Sequence, residues 1–145
     1  MENFIEPVLI PIPLSPKRYR ERGYNQAQLI CEELIKINNL RHGVDVNNAN
    51  NAYIRHGVYM QLEKKILIKP KETEHQARIK NRNIRLKNLS GSFVIKNTAE
   101  NIARIKRKNI ILIDDIITTG ATLSEARKVL KQNGARKVIA FTVAH

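Results

Sequence analysis

"IILIDDIITTGAT", Ile110 to Thr122, decides how the rest of the chain is read. The unbroken isoleucine and leucine run has the composition of a strand covered on both faces, as in a parallel sheet. Asp114 and Asp115 follow it directly, and then Thr118, Thr119, Gly120, Ala121 and Thr122. In open α/β sheets ligands bind beyond the carboxyl ends of strands, where loops lead into helices. Unpaired N–H groups and the dipole at a helix start favour an anion there. Gly120 permits close backbone approach, and threonine hydroxyls donate to phosphate oxygens. Carboxylates repel a phosphate but accept hydrogen bonds from hydroxyls. A phosphate on the loop with a diol on the two acids describes a ribose 5-phosphate. A plainer reading stays open, in which the acids cap a turn or pair with Lys106 and Lys108.

Outward from this stretch, the spacing of Leu123, Ala126 and Leu130 predicts a helix over Thr122 to Asn133. Thr122 and Glu125 have capping-box spacing, and Gly134 sits where a C-terminal glycine belongs. "KVIAFTVAH" reads as a final buried strand. Strand, helix and strand make a parallel βαβ unit, and the class is α/β. Near the other end, Val8 to Pro13 is extended; Pro11 and Pro13 argue against a fully paired central strand unless it stops at Ile10. A basic segment, "LSPKRYRERGYNQ", leads to helical spacing from Asn25 to about Ile37. Asn25 suits the cap of that helix, and Gly23 the turn before it. Residues 38 to 60, rich in asparagine, read as an irregular excursion. Lys64–Pro70 and Gly91–Lys96 each suggest a short strand, and Lys71–Asn88 is polar, basic and poor in core residues.

The chain has 145 residues, 42% of them hydrophobic, which suits one globular domain. With 5% aromatics and no tryptophan the core is aliphatic. No apolar run approaches the ~18 residues of a membrane span. The N-terminus lacks the basic region of a signal peptide. A soluble, cytoplasmic protein is the expectation. Cys31 is the one cysteine, which excludes an internal disulfide and a cysteine-based metal site, and it falls on the apolar helix face. His42, His56 and His75 have no partners at metal-ligand spacing. The net charge of +13 and pI near 10.2 favour polyanionic partners: nucleic acid, phosphorylated metabolites or an anionic membrane.

The hydrophobic strand, paired acids and T-T-G-x-T resemble the signature of type I phosphoribosyltransferases, which bind phosphoribosyl pyrophosphate (PRPP). The resemblance implies a Rossmann-like parallel β-sheet flanked by helices. It implies Asp114 and Asp115 at the ribose hydroxyls and Thr118 to Thr122 around the 5-phosphate. "PIPLSPKRYRERGYNQA", Pro11 to Ala27, is similar to the ComF family of competence-associated proteins, in which P-x-P-L leads to R-x-R-G-[FY]-N-Q. Thr73, Gln76, Asn88, Gly91 and Phe93 match further elements of that family around a mobile loop, placed here at residues 71–90. The family usually carries a zinc ribbon upstream; this sequence starts at the P-x-P-L strand.

Arginines after a strand end suit a pyrophosphate, which takes forked guanidinium contacts. Arg18 and Arg22 are the choices, with a solvated basic turn as the plain alternative. The resemblance further implies Mg²⁺ held mainly through PRPP, phosphoribosyl transfer to an unidentified acceptor, and participation in DNA uptake during natural competence. Single-stranded DNA and other competence proteins are therefore among the expected partners, together with a homodimer. A non-enzymatic role in handling single-stranded DNA, or PRPP sensing without chemistry, stays open beside the transferase reading.

Overall fold

A computed structural model describes residues 6–42, 59–70, 92–116 and 120–144. Its main sheet is wholly parallel, in the order β2-β1-β5-β6, built from β1 (Val8–Pro11), β2 (Gln61–Leu62), β5 (Asn109–Ile116) and β6 (Lys137–Ala144). A separate antiparallel pair joins β3 (Leu67–Ile68) to β4 (Val94–Ile95). The helices are α1 (Pro16–Arg22), α2 (Gln26–His42), α3 (Ala99–Ile105) and α4 (Ala121–Gln132).

Strand alternation divides the isoleucine run between two layers. Ile110 and Leu112, with Val8, Ile10 and Val138, face Ile105 of α3, Leu123, Ala126 and Leu130 of α4, and Phe93 beside the hairpin. Ile111 and Ile113, with Leu9, face Ile30, Cys31 and Leu34 of α2. Each fully buried aliphatic side chain contributes about 1.5–3 kcal/mol relative to exposure, so this two-sided burial holds β1 and β5 at the centre. The α/β expectation is met, and Cys31 is a core residue whose thiol burial pushes up to about 12.

β1 is central although it runs through Pro11, one residue beyond the expected end. Leu9 and Pro11 present their backbone groups to β2, and Ile10 and Ile12 to β5. Ile12 N–H donates to the Ile113 carbonyl at 2.8 Å, and Glu63 N–H donates to the Leu9 carbonyl at 3.0 Å. Since β2 ends at Leu62, opposite Leu9, the missing N–H of Pro11 faces no ladder partner there.

Three other expectations change. The basic stretch after β1 is a helix, α1, capped by Ser15, whose side chain accepts from Arg18 N–H at 3.3 Å. Pro16 begins it, and Gly23, at φ 78°, ends it with an N–H to Tyr19 bond. Helix α2 continues to His42, so residues 38–42 are helical; residues 43–58, the rest of the expected excursion up to Tyr59, lie outside the described residues. β6 is not a buried strand. It stands at the sheet edge, with Val138 buried towards α4 while Ile139, Phe141 and Val143 on the other side are 41%, 57% and 63% exposed. Helix α2 packs against β1, β2 and β5, and its cover is centred away from that edge.

Candidate functional site

The carboxyl ends of β1 and β5 and the start of α4 converge at one end of the sheet. The register Pro11↔Ile113 brings the Pro11–Leu14 segment level with Asp114, which pairs with Thr142 of β6 on its other side. Asn25 locks the chain after β1 into place. Its Nδ2 donates to the Ile12 carbonyl at 2.9 Å, while its Oδ1 accepts from Ala27 N–H at 3.0 Å. It caps α2, as expected, and also ties that cap to the end of β1.

Asp114 is half-buried, and burial pushes its carboxyl up to about 7. Its hydrogen bond to the Asp115 carboxyl and the adjacent negative charge push the same way. The Asp115 N–H donates to Asp114 Oδ1 at 3.0 Å and, with the charge of Lys69, opposes the rise. A negative charge next to a half-buried carboxyl favours its protonated form. A protonated Asp114 carboxyl can donate to a hydroxyl, and an ionised one can accept from it.

Helix α4 begins at Ala121, after Gly120 at φ 71°, a left-handed conformation in which a glycine avoids the Cβ clash. The N-cap residue is Gly120, which has no side chain to cap the helix with. The expected capping box is therefore absent: Thr122 lies inside the first turn, too late to serve as the cap. A helix N-terminus suits an anion through its backbone N–H groups and dipole. Thr118 and Thr119 lie outside the described residues, so the described part of the expected phosphate loop is Gly120, Ala121 and Thr122. The expected mobile segment at 71–90 also lies outside them.

Beside the carboxyl pair, an open groove of about 640 Å³ runs between α1 and the β3–β4 hairpin, past Pro13, Tyr19 and Asn25. Five cationic residues line it: Arg20, Lys64, Lys65, Lys69 and Lys96. Lys69 joins the two halves of the site. Its charge acts on Asp114, and its Nζ lies 5.4 Å from the centre of the Phe93 ring. Lys64 is partly neutralised by Glu32 at 2.6 Å. Arg18 and Arg22 are not in the groove lining. Both are exposed, and Arg22 Nη1 donates to Gln26 Oε1 at 2.7 Å. The helical turn explains this: Pro16, Tyr19 and Arg20 share one face of α1, and Arg18 and Arg22 share another. Arg20 and Lys69 line the groove, where the sequence-based expectation is Arg18 and Arg22. The helical spacing Pro16–Arg20 was the available signal for the first. For Lys69 the signal was its place at the end of a short strand, just before Pro70.

A family model described as "Phosphoribosyl transferase domain" matches residues 73–145. Competence protein F of Haemophilus influenzae is 31% identical, over 94% of this chain and 49% of that protein. Competence protein ComFC of Bacillus subtilis is 35% identical, over 94% of this chain and 43% of its own length. DNA utilization protein YhgH of Escherichia coli K12 is 23% identical, over 90% and 45%. The chain spans about half the length of the curated relatives it matches. Among solved structures, a hypoxanthine phosphoribosyltransferase from Staphylococcus aureus aligns over 96% of this chain and 53% of its own, with 13% identity and a TM-score of 0.47.

Proposed function

The chain belongs to the phosphoribosyl transferase domain family, and on that premise we propose that it binds PRPP at the carboxyl end of its parallel sheet. One observation carries the reading: the Asp114–Asp115 pair at the end of β5 lies next to the left-handed Gly120 turn that opens α4 and beside a groove rich in cations. The 5-phosphate meets the backbone at Gly120–Thr122, the ribose hydroxyls meet the two carboxyls, and the pyrophosphate enters the groove at Arg20 and Lys69. Arg18 and Arg22, exposed beside that groove, are the second circle of positive charge.

The residues present fit a magnesium ion. Mg²⁺ is commonly held by one or two carboxylates plus substrate phosphates, and Asp114 and Asp115 supply the carboxylates. When bound, it neutralises charge on the leaving pyrophosphate. The chain's own contribution is to hold the ribose by its hydroxyls and to surround the departing pyrophosphate with fixed positive charge. In transfer, an acceptor atom bonds to the anomeric carbon as the bond to pyrophosphate breaks. The pyrophosphate leaves with the electron pair, and the acceptor's proton passes to solvent. The association with competence and DNA utilisation stated in the relatives' names extends to this chain as part of the same proposal.

Calorimetric titration with PRPP, with and without Mg²⁺, tests the reading. Binding that weakens at least tenfold in Asp114→Asn and Lys69→Met supports it. Equal binding by wild type and both variants, or no binding to wild type at all, refutes it. Pyrophosphate release on addition of a panel of bases then separates a transferase from a PRPP-sensing protein.

A further inference from the structure

The basic residues of this chain are not spread evenly. Between Glu100 and Asp114, and again from Glu125 to the end, the sequence contains no acid but nine lysines and arginines. The fold gathers many of them at the pole opposite the carboxyl pair. β5 and β6 are parallel and in register from Asn109↔Lys137, so the turn before each strand emerges at the same end. That places Lys106, Arg107 and Lys108 beside Arg136 and Lys137, roughly 17 Å along β5 from Asp114 at ~3.3 Å per residue.

The platform is rigid. Arg107 N–H donates to the Gly134 carbonyl at 2.8 Å, and Arg136 N–H donates to the Lys108 carbonyl at 2.9 Å, so the two turns clasp each other. Arg107 holds φ at 61° to make this fit, a conformation that costs a non-glycine residue of order 1 kcal/mol. Lys131 Nζ secures the Arg136 carbonyl at 2.6 Å. Lys106, Arg107, Arg136 and Lys137 are all exposed. Glu6 lies 3.9 Å from Lys108.

The geometry points to a second binding surface here, one that grips the phosphodiester backbone of nucleic acid without reading its bases. Six cations on one fixed pole satisfy the electrostatic requirement for such binding. The clasped turns present no aromatic ring to stack a base, so single strands and duplexes bind alike. Their apolar residue, Ala135, is buried and cannot insert into a bilayer, which favours nucleic acid over a lipid surface. The surface gives the DNA-handling part of the proposed function a location and is independent of the PRPP site.

The test is fluorescence anisotropy with a labelled 30-nucleotide oligo(dT) and a 30-base-pair duplex, across a salt series. The quadruple variant Lys106→Gln, Arg107→Asn, Arg136→Gln and Lys137→Gln removes four cations, with asparagine chosen because it tolerates the left-handed backbone. Every phosphate left without its cation lowers the single-strand salt slope by about 0.7 and weakens binding about 4-fold at 0.15 M salt. PRPP titration is unchanged. Should the quadruple variant fold poorly, Arg136→Glu with Lys137→Glu on the exposed surface repeats the measurement. An unaltered slope with DNA still bound overturns the surface but leaves DNA handling intact, and loss on neutralising Arg20, Lys65 and Lys96 instead moves the binding to the groove. Wild type that binds no nucleic acid overturns both, as does binding only to vesicles containing anionic phospholipid.

Discussion

Replacing Asp114 by asparagine should make this protein more stable at alkaline pH while weakening the proposed binding of PRPP. The folded state raises the Asp114 carboxyl from 3.8 to about 7, chiefly by burial. Between those values the folded protein holds a proton that the unfolded chain has released. Stability therefore falls as pH rises through this window and is lowest above about 7. From pH 5 to about 7, two pH units at 1.36 kcal/mol each set a ceiling of about 3 kcal/mol. The group is only half-buried, and solvent screening reduces the expected effect to about 1–2 kcal/mol. Asparagine keeps the shape and cannot ionise. Urea unfolding of both proteins at pH 5 and pH 8 isolates the effect, because the histidines contribute equally to each and cancel in the difference. The variant should gain about 1–2 kcal/mol on wild type at pH 8 relative to pH 5, and its PRPP binding should drop at least tenfold. A wild-type minus variant difference that is flat with pH, or that grows in favour of wild type towards pH 8, refutes the account of Asp114 as a carboxyl raised by burial.

Lys69→Met removes a charge that lowers the Asp114 carboxyl pKa; the Asp114 titration followed by carboxyl carbon NMR should move upward, and PRPP binding should reach its plateau at a higher pH. Asn25→Ala leaves the Ile12 carbonyl and the Ala27 N–H without their side-chain partner and should cost about 1–3 kcal/mol in urea unfolding. Gly120→Ala forces a Cβ into the left-handed region at φ 71°; a loss of about 1 kcal/mol is expected, with weaker PRPP binding as the start of α4 shifts. Leu112→Ala opens a cavity between β5 and α4, and a loss of about 2–5 kcal/mol is expected from the same unfolding measurement.

Local chemistry carried much of this molecule into view from residues alone. The run Ile110–Ile113 has to be buried on both sides, and the central position of β5 between two helical layers follows from that hydrophobicity. Gly134 ends α4 at φ 93°, with Ala135 N–H returned to Leu130 and Gly134 N–H to Lys131, a motif that depends only on neighbours in sequence. Asn25 caps the helix that follows it for the same reason. The Ser15-Pro16 opening and Gly23 close of α1 were equally local signals, masked by the density of basic residues between them.

What depended on partners far along the chain was decided only by the tertiary structure. Ile139, Phe141 and Val143 are as apolar as the β5 residues, yet they face outward, because exposure depends on whether a helix lies over the strand. Pro11 is tolerated in a central strand because β2 stops two residues short of it. The charge of Lys69 acts on Asp114 from a hairpin 45 positions away in sequence, and Arg20 rather than Arg18 or Arg22 lines the groove because α1 turns that face inward. Charge composition is a property of the chain; which cations meet a carboxylate, and which gather at the opposite pole, is set by strand order and register.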